Sequence, residues 1–102
     1  MSLKKKFLKS KPVCKVTFRV SQEQAPEAKN VCIVGDFNDW DKEATPLKAL
    51  KSGDFKTTLD LDTEKEYAFR YLIDGKLWAN EDEADAQVNN GVTNDLNSLI
   101  KL

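Results

Sequence analysis

Apolar and polar residues alternate over two segments of the chain. Within residues 14–20 every second residue, beginning with Cys14, is apolar, and within residues 55–61 the apolar positions include Phe55, Leu59 and Leu61. A period of two places successive side chains on opposite faces of a strand. Both segments therefore predict strands with one buried face.

Two other segments predict strands, the first of them near the middle of a sheet. Residues 31–34 are apolar at every position, which is typical of a strand covered on both faces. Within residues 67–73 large apolar side chains again occupy alternate positions, and Arg70 lies on the opposite, outward face. The pair Asp74-Gly75 then predicts a tight hairpin turn and a return strand carrying Trp78.

Polar connections separate these strands. Residues 21–30 and 79–95 show neither period and predict loops, whereas residues 98–102 predict a closing strand. No segment has a convincing helical period. The pattern predicts an all-β protein, an antiparallel β-sandwich of immunoglobulin type with about seven to eight strands. A five-stranded OB barrel is the alternative.

Length and charge limit the domain organisation. The 102 residues are enough for one domain with its own core. Six lysines precede the first acidic residue, so we expect a basic, solvated and partly frayed N-terminal arm over residues 1–12 and one sandwich domain over residues 13–102. A basic segment can suit a nucleic acid or a membrane surface, but the rest of the chain is acidic on balance, and we expect neither partner.

The expected location follows from missing signals. The start of the sequence has no apolar run of signal-peptide length, and no segment approaches the length of a transmembrane helix. We therefore expect a cytoplasmic protein in which Cys14 and Cys32, on separate predicted strands, remain free thiols.

The residue types present argue against catalysis. The sequence contains no histidine, the commonest general base and metal ligand, so no serine or cysteine has a conventional base. A small sandwich also lacks the cleft in which two carboxylates cleave a glycosidic bond. The acidic run from Glu81 to Asp85 lacks the spacing of a calcium loop and predicts a solvated loop. We expect no enzyme activity, no metal and no cofactor.

Both tryptophans fall in or beside predicted turns. Trp40 follows the polar residues Asp36, Asn38 and Asp39, and Trp78 follows the hairpin turn. Such rings either fold back as lids over the open end of a sandwich or face a ligand. A flat indole complements the C–H face of a glucose ring, and a stack of this kind contributes about 0.5–1.5 kcal/mol beyond area burial. Two stacks and a few hydrogen bonds predict weak binding, in the ~10 µM to millimolar range.

Three parts of the sequence together resemble family 48 carbohydrate-binding modules. They are Gly35-Asp36-Phe37-Asn38-Asp39-Trp40, residues 67–73 with the following Asp74-Gly75 and Trp78, and Asn97-Ser98-Leu99-Ile100. That family includes the glycogen-binding domain of AMP-activated protein kinase β subunits and the N-terminal early set domains of isoamylases and glycogen branching enzymes. The resemblance covers about residues 15–102 and implies an immunoglobulin-like sandwich.

The resemblance also implies a function, the non-catalytic binding of α-1,4-linked glucan such as glycogen, starch or maltooligosaccharide. It assigns glucose stacking to Trp40 and Trp78. It assigns hydroxyl contacts to Arg70, which stands where the kinase subunits have lysine, and to Asn97, or to Asn94 if the register shifts in the preceding loop. Trp78 lies one residue further past the glycine than in the family. The alternative is a protein-interaction module that docks on a separate glucan-processing enzyme or kinase without binding sugar.

Overall fold

The computed structural model describes residues 2–89 and 96–102, and strands dominate them. These residues form nine strands and one turn of 3₁₀ helix at Asp36–Asn38. The strands are β1 (Ser2–Phe7), β2 (Val13–Val20), β3 (Val31–Gly35), β4 (Lys48–Ala49), β5 (Phe55–Asp62), β6 (Glu66–Ile73), β7 (Leu77–Ala79), β8 (Ala86–Asn89) and β9 (Leu96–Lys101).

The strands pair into two antiparallel sheets. Sheet A has the order β1-β2-β5-β4, and sheet B has the order β3-β6-β9-β8, with β7 also paired to β6. The predicted all-β antiparallel sandwich is confirmed. The position predicted for residues 31–34 is wrong, because β3 lies at the edge of sheet B and not near its middle, although Val34 on its outer face is buried. In the part of the chain described, no helix is long and apolar enough to cross a lipid bilayer.

One apolar core lies between the two sheets. Most of the alternate residues predicted to face inward are buried, among them Val16, Phe18, Phe69 and Tyr71, whereas Leu59 and Tyr67 are partly buried against the core. Phe18 of sheet A meets Phe69 of sheet B edge to face, with ring centroids 5.2 Å apart. Such pairs add to the energy of area burial, so these rings help to fix how the sheets are stacked.

The N-terminal lysine segment differs from the expected frayed arm, because it forms the edge strand β1. It pairs with β2 from Ser2–Arg19 to Phe7–Cys14. Leu3 packs against the core, and Lys5 Nζ lies 2.6 Å from Asp85 Oδ2. The run of lysines hides the alternation, although lysine is a usual residue of edge strands because its charge discourages pairing with another chain.

The predicted loop over residues 79–95 also differs from expectation, because it contains β8 and a buried carboxyl group. Glu81 has 0% exposure, so this residue does not belong to a solvated acidic loop. The Tyr71 hydroxyl donates to Glu81 Oε1 at 2.7 Å, and the Glu83 amide donates to Oε2 at 3.0 Å. These bonds make burial of the carboxyl group possible, and no local pattern in the sequence indicates them.

Candidate functional site

The turn after β3 begins at a glycine for reasons of space. Gly35 is extended, and a Cβ atom there would lie 2.5 Å from the Ala68 carbonyl oxygen and 2.6 Å from Phe69 Cβ. Any larger residue would push β3 away from β6. Gly35 therefore fixes the point at which the chain leaves sheet B.

Two polar side chains hold this turn in shape. Asn38 Oδ1 accepts a hydrogen bond from the Gly35 amide at 3.0 Å, and its Nδ2 donates to the Ile33 carbonyl at 2.9 Å and to Thr45 Oγ1 at 3.0 Å. Asp36 Oδ2 accepts from the Ala68 amide on β6 at 2.8 Å. The turn is thereby fastened to its own strand and to its neighbour.

Trp40 ends the turn in an unusual backbone conformation. Its φ is 57° and that of Asp39 is 56°, both in the left-handed region. A bulky residue there is strained by about 1–3 kcal/mol, and such strain persists only where the surroundings impose it. Here the Trp40 amide donates to the Gly35 carbonyl at 2.9 Å, and indole Nε1 donates to Asp36 Oδ1 at 2.8 Å. The turn therefore sets both the backbone and the ring of Trp40.

The length of the hairpin connection after β6 determines the face of sheet B on which Trp78 lies. Asp74 and Gly75 have φ values of 52° and 66°, as the predicted tight turn requires. The connection has three residues, because Ile73 pairs with Leu77 and Leu72 pairs with Trp78. Pairing Ile73 with Lys76 instead would have turned Trp78 to the core face. The one additional residue between Gly75 and Trp78 therefore lies in the loop, and Trp78 lies on the same face as Leu72.

The outer face of sheet B collects the predicted polar residues. Arg70 pairs with Val34 on β3, and its Nε donates to Asn97 Oδ1 on β9 at 2.8 Å. Val34 and Leu72 have 0% and 5% exposure but lie outside the core cluster. This outer face therefore has an apolar floor beneath its polar side chains.

A cleft opens beside Trp78. It has a volume of about 240 Å³ and is lined by Arg70, Trp78, Asn80 and Leu96. Trp78 is 42% exposed. Arg70 Nη2 is buried and lacks a hydrogen-bond partner among the described residues. A buried donor without an acceptor is unfavourable, and a ligand in the cleft can supply an acceptor once the guanidinium group turns toward it.

Two cations lie near the Trp78 ring. The Arg70 guanidinium carbon is 5.9 Å and Lys42 Nζ 5.8 Å from the ring centroid, both within the range of a cation–π interaction. Because Lys42 comes two residues after Trp40, its contact brings the Trp40 turn to the same side of the molecule as the hairpin.

The structure thus brings Arg70, Trp78 and Asn97 together, with the half-buried Trp40 in the adjoining turn. Neither tryptophan belongs to the core cluster or to the residues packed against it, which disfavours the alternative that the rings are lids. The other predicted asparagine, Asn94, lies outside the described residues.

Sequence reasoning missed three residues beside the cleft: Asn80, Leu96 and Lys42. Asn80 could have been found, because it follows Trp78 by two positions and a period of two places both on one face. It donates through Nδ2 to the Leu96 carbonyl at 2.9 Å and accepts from Ser98 Oγ at 3.0 Å. Leu96 and Lys42 reach the cleft through tertiary packing, which leaves no local pattern.

The remaining chemistry of the described residues is limited. They contain no group of three or more histidine, cysteine, aspartate or glutamate residues arranged to hold a metal ion. Cys14 and Cys32 are free thiols, as expected, and burial raises the pKa of both. A raised thiol pKa means a small thiolate fraction at neutral pH, so neither is an activated nucleophile.

Comparison with known proteins points to one family. The family model described as the glycogen recognition site of AMP-activated protein kinase matches residues 17–101. The matched segment includes both tryptophans, Arg70 and the asparagines Asn94 and Asn97. No curated protein matches the chain.

Proposed function

Because this chain belongs to the family of glycogen recognition domains of AMP-activated protein kinase, we propose that it binds α-1,4-linked glucan on the outer face of sheet B. Glucose units stack on Trp78 and Trp40, and the domain holds the chain without cleaving it. The family match supports glycogen or a related glucan as the ligand. The cleft beside Trp78 supports the choice of face.

The observation that carries this proposal is the pairing of an exposed indole with an unsatisfied guanidinium group. Trp78 is 42% exposed, and Arg70 Nη2 is buried without a partner in the described part of the chain. An unmade hydrogen bond of a buried donor costs about 1–3 kcal/mol. A glucose unit suits both features, since its C–H face covers the indole while a hydroxyl oxygen accepts from the guanidinium group after that group turns toward the cleft.

Trp40 contributes differently to the proposed site. Its indole N–H already donates to Asp36, so only the faces of the ring remain for a ligand. The turn fixes that ring before any ligand arrives, which lowers the entropy lost on binding. We therefore propose Trp40 as a second, preorganised stacking surface beside Trp78.

The asparagines complete the proposed site. Asn97 accepts from Arg70 Nε and so sets the direction of the guanidinium group. Asn94 remains a second candidate for a sugar contact. A cytoplasmic location suits this proposal, because Cys14 and Cys32 are free thiols and the reducing cytosol preserves them.

Native gel electrophoresis with glycogen in the gel tests the proposal. We expect the wild-type protein to be retarded, and Trp78→Ala or Trp40→Ala to weaken binding by at least about tenfold, the equivalent of about 1.4 kcal/mol. The matched control is Leu77→Ala, which removes an apolar side chain that is 66% exposed on the same hairpin but points to the other face.

Two results would contradict the proposal. One is a wild-type mobility that glycogen does not change. The other is an equal loss of retardation in Leu77→Ala and Trp78→Ala, because the effect would then come from damage to the hairpin rather than from a lost stack.

A further inference from the structure

The outer face of sheet A is strongly basic. Antiparallel pairing places the same alternate positions of each strand outward, and these positions carry six cations and two carboxylates in a chain whose net charge is −1. We call this surface the basic face, defined by Lys4, Lys6, Lys15, Thr17, Arg19, Lys48, Lys56, Thr58, Asp60 and Asp62.

Like charges stand directly opposite one another across this face. Lys6 pairs with Lys15, Arg19 pairs with Lys56, and Lys56 also pairs with Lys48. Directly opposite like charges destabilise an antiparallel sheet. The edge position of β1 accounts for lysines on that strand, but it does not account for Lys15, Arg19 and Lys56 on the two inner strands.

Neutralisation of the basic face within the chain is incomplete. Arg19 Nη2 lies 2.6 Å from Asp54 Oδ2, and Lys15 Nζ lies 3.8 Å from Asp60 Oδ1. Within residues 2–89 and 96–102, the structure gives no carboxylate partner to Lys4, Lys6, Lys48 or Lys56. The unpaired cations lie on both edge strands and on β5, so they span the whole sheet.

We propose that the basic face docks an extended acidic segment of a partner protein. Alternate outward residues of a strand are about 6.6–6.8 Å apart, the spacing of alternate side chains in an extended peptide. Carboxylates at every second position of such a segment therefore match Lys4 and Lys6, or Lys15 and Arg19 with Thr17 between them. The hydroxyls of Thr17 and Thr58 are hydrogen-bonded to each other at 3.1 Å, which leaves one O–H donor at the centre for the same segment.

The composition of the basic face favours a peptide over other polyanions. Its outward positions carry no aromatic ring, whereas proteins that bind single-stranded nucleic acid stack bases on aromatic side chains. They also lack the large apolar residues that insert into a membrane surface. Asp60 and Asp62 would repel a continuous row of phosphates, but separate carboxylates can be placed to avoid them.

This surface and the proposed glucan site belong to different sheets. Sheet A carries the basic face and sheet B carries Trp78, and the core separates them. The two ligands therefore reach opposite sides of the sandwich. The chain can hold glucan and an acidic partner at the same time, and the docking proposal does not depend on the glucan proposal.

Fluorescence anisotropy with a labelled peptide of alternating glutamate and threonine, about ten residues long, tests the docking proposal. We expect the wild-type chain to bind it and the double variant Lys6→Gln with Lys56→Gln to bind at least about tenfold more weakly. The matched control removes the same charge elsewhere, with Lys29→Gln and Lys76→Gln, and should stay within about twofold of wild type.

Two further measurements make the outcome decisive. Removal of Lys6 and Lys56 relieves the opposed charges, so the melting temperature of that variant should equal or exceed that of wild type, and lost binding then does not reflect unfolding. Absence of peptide binding, equal weakening in both double variants, or tighter binding to an oligonucleotide or to anionic vesicles of equal charge concentration would overturn the proposal.

Discussion

Arg70 is the residue on which hydroxyl recognition at the proposed glucan site depends. We expect Arg70→Met, which keeps the apolar stem but removes the donors, to weaken glycogen binding by at least about tenfold, because the bond to a charged donor contributes about 1.5–3 kcal/mol. Arg70→Lys should fall between Met and wild type, since an ammonium keeps the charge but loses the fork that also reaches Asn97. Affinity for a maltooligosaccharide, measured by calorimetry, checks this order. Wild-type affinity in Arg70→Met would remove Arg70 from the site.

Glu81 makes the stability of the folded state depend on pH in the direction opposite to that of most carboxyl groups. Burial raises the pKa of its carboxyl group above the ordinary value of 4.5, so the folded state favours the protonated form. Its contribution to stability is therefore fully present below the unfolded pKa and is lost as the pH rises through the folded pKa. We expect the stability of wild type relative to Glu81→Gln, measured by urea unfolding, to decrease between acid and neutral pH.

Asp54 supplies the matched control for Glu81, because its contribution to stability changes with pH in the opposite direction. Hydrogen bonds from the Gln22 amide and from Arg19 lower the pKa of Asp54 below its ordinary value of 3.8. Its contribution is present above the unfolded pKa and is lost as the pH falls. The stability of wild type relative to Asp54→Asn should therefore increase with pH. Parallel pH profiles for the two substitutions would contradict both assignments.

At the level of elements, the hairpin between β6 and β7 is the part of the site most open to test. The three-residue connection keeps Trp78 opposite Leu72, and a two-residue connection made by deleting Lys76 preserves the same pairing. We expect this deletion to leave glycogen retardation unchanged and the melting temperature equal or higher, because Asp74-Gly75 suits a two-residue turn. A loss of binding as large as in Trp78→Ala would show that the loop itself contacts the ligand.

The elements that the sequence predicts well are those in which one face is apolar. Strands β2, β5 and β6 follow from large apolar side chains at alternate positions, and Asp74-Gly75 marks the hairpin. Strand β1 is hidden because Lys4, Lys5 and Lys6 stand on both faces, and only pairing with β2 and the Lys5–Asp85 contact distinguish them. Strand β8 is too short to show a period. Local pattern therefore predicts strands with buried side chains, including the edge strand β3, but not the more exposed edge strands β1 and β8.

The candidate site likewise has some features that local pattern predicts and others that it does not. The tryptophans and Arg70 stand out as large or charged residues in or beside turns and on an outward face, which the sequence alone reveals. The buried state of Arg70 Nη2 and the approach of Lys42 to Trp78 both arise from tertiary packing, and the second joins the turn after β3 to the hairpin after β6. A contact between distant segments leaves no pattern of spacing along the chain. The residues of the site could therefore be predicted from the sequence, but their geometry could not.

At the scale of the whole molecule, the two faces of the sandwich should respond differently to salt. The proposed glucan ligand is uncharged and would be held by stacking and hydrogen bonds, whereas the proposed ligand of the basic face would be attracted through charge. Raising the salt from about 0.1 M to about 1 M shortens the Debye length from about 10 Å to about 3 Å. We expect glycogen affinity to change by less than about twofold over this range, and affinity for the glutamate-threonine peptide to fall by at least about tenfold.

Saturating glycogen should leave the peptide affinity unchanged, because the core keeps the two proposed sites apart. Coupling between sites is reciprocal, so saturating peptide should likewise leave the glycogen affinity unchanged. Competition between the ligands, or an equal loss of both affinities with salt, would place them on one surface and contradict the division between sheets A and B.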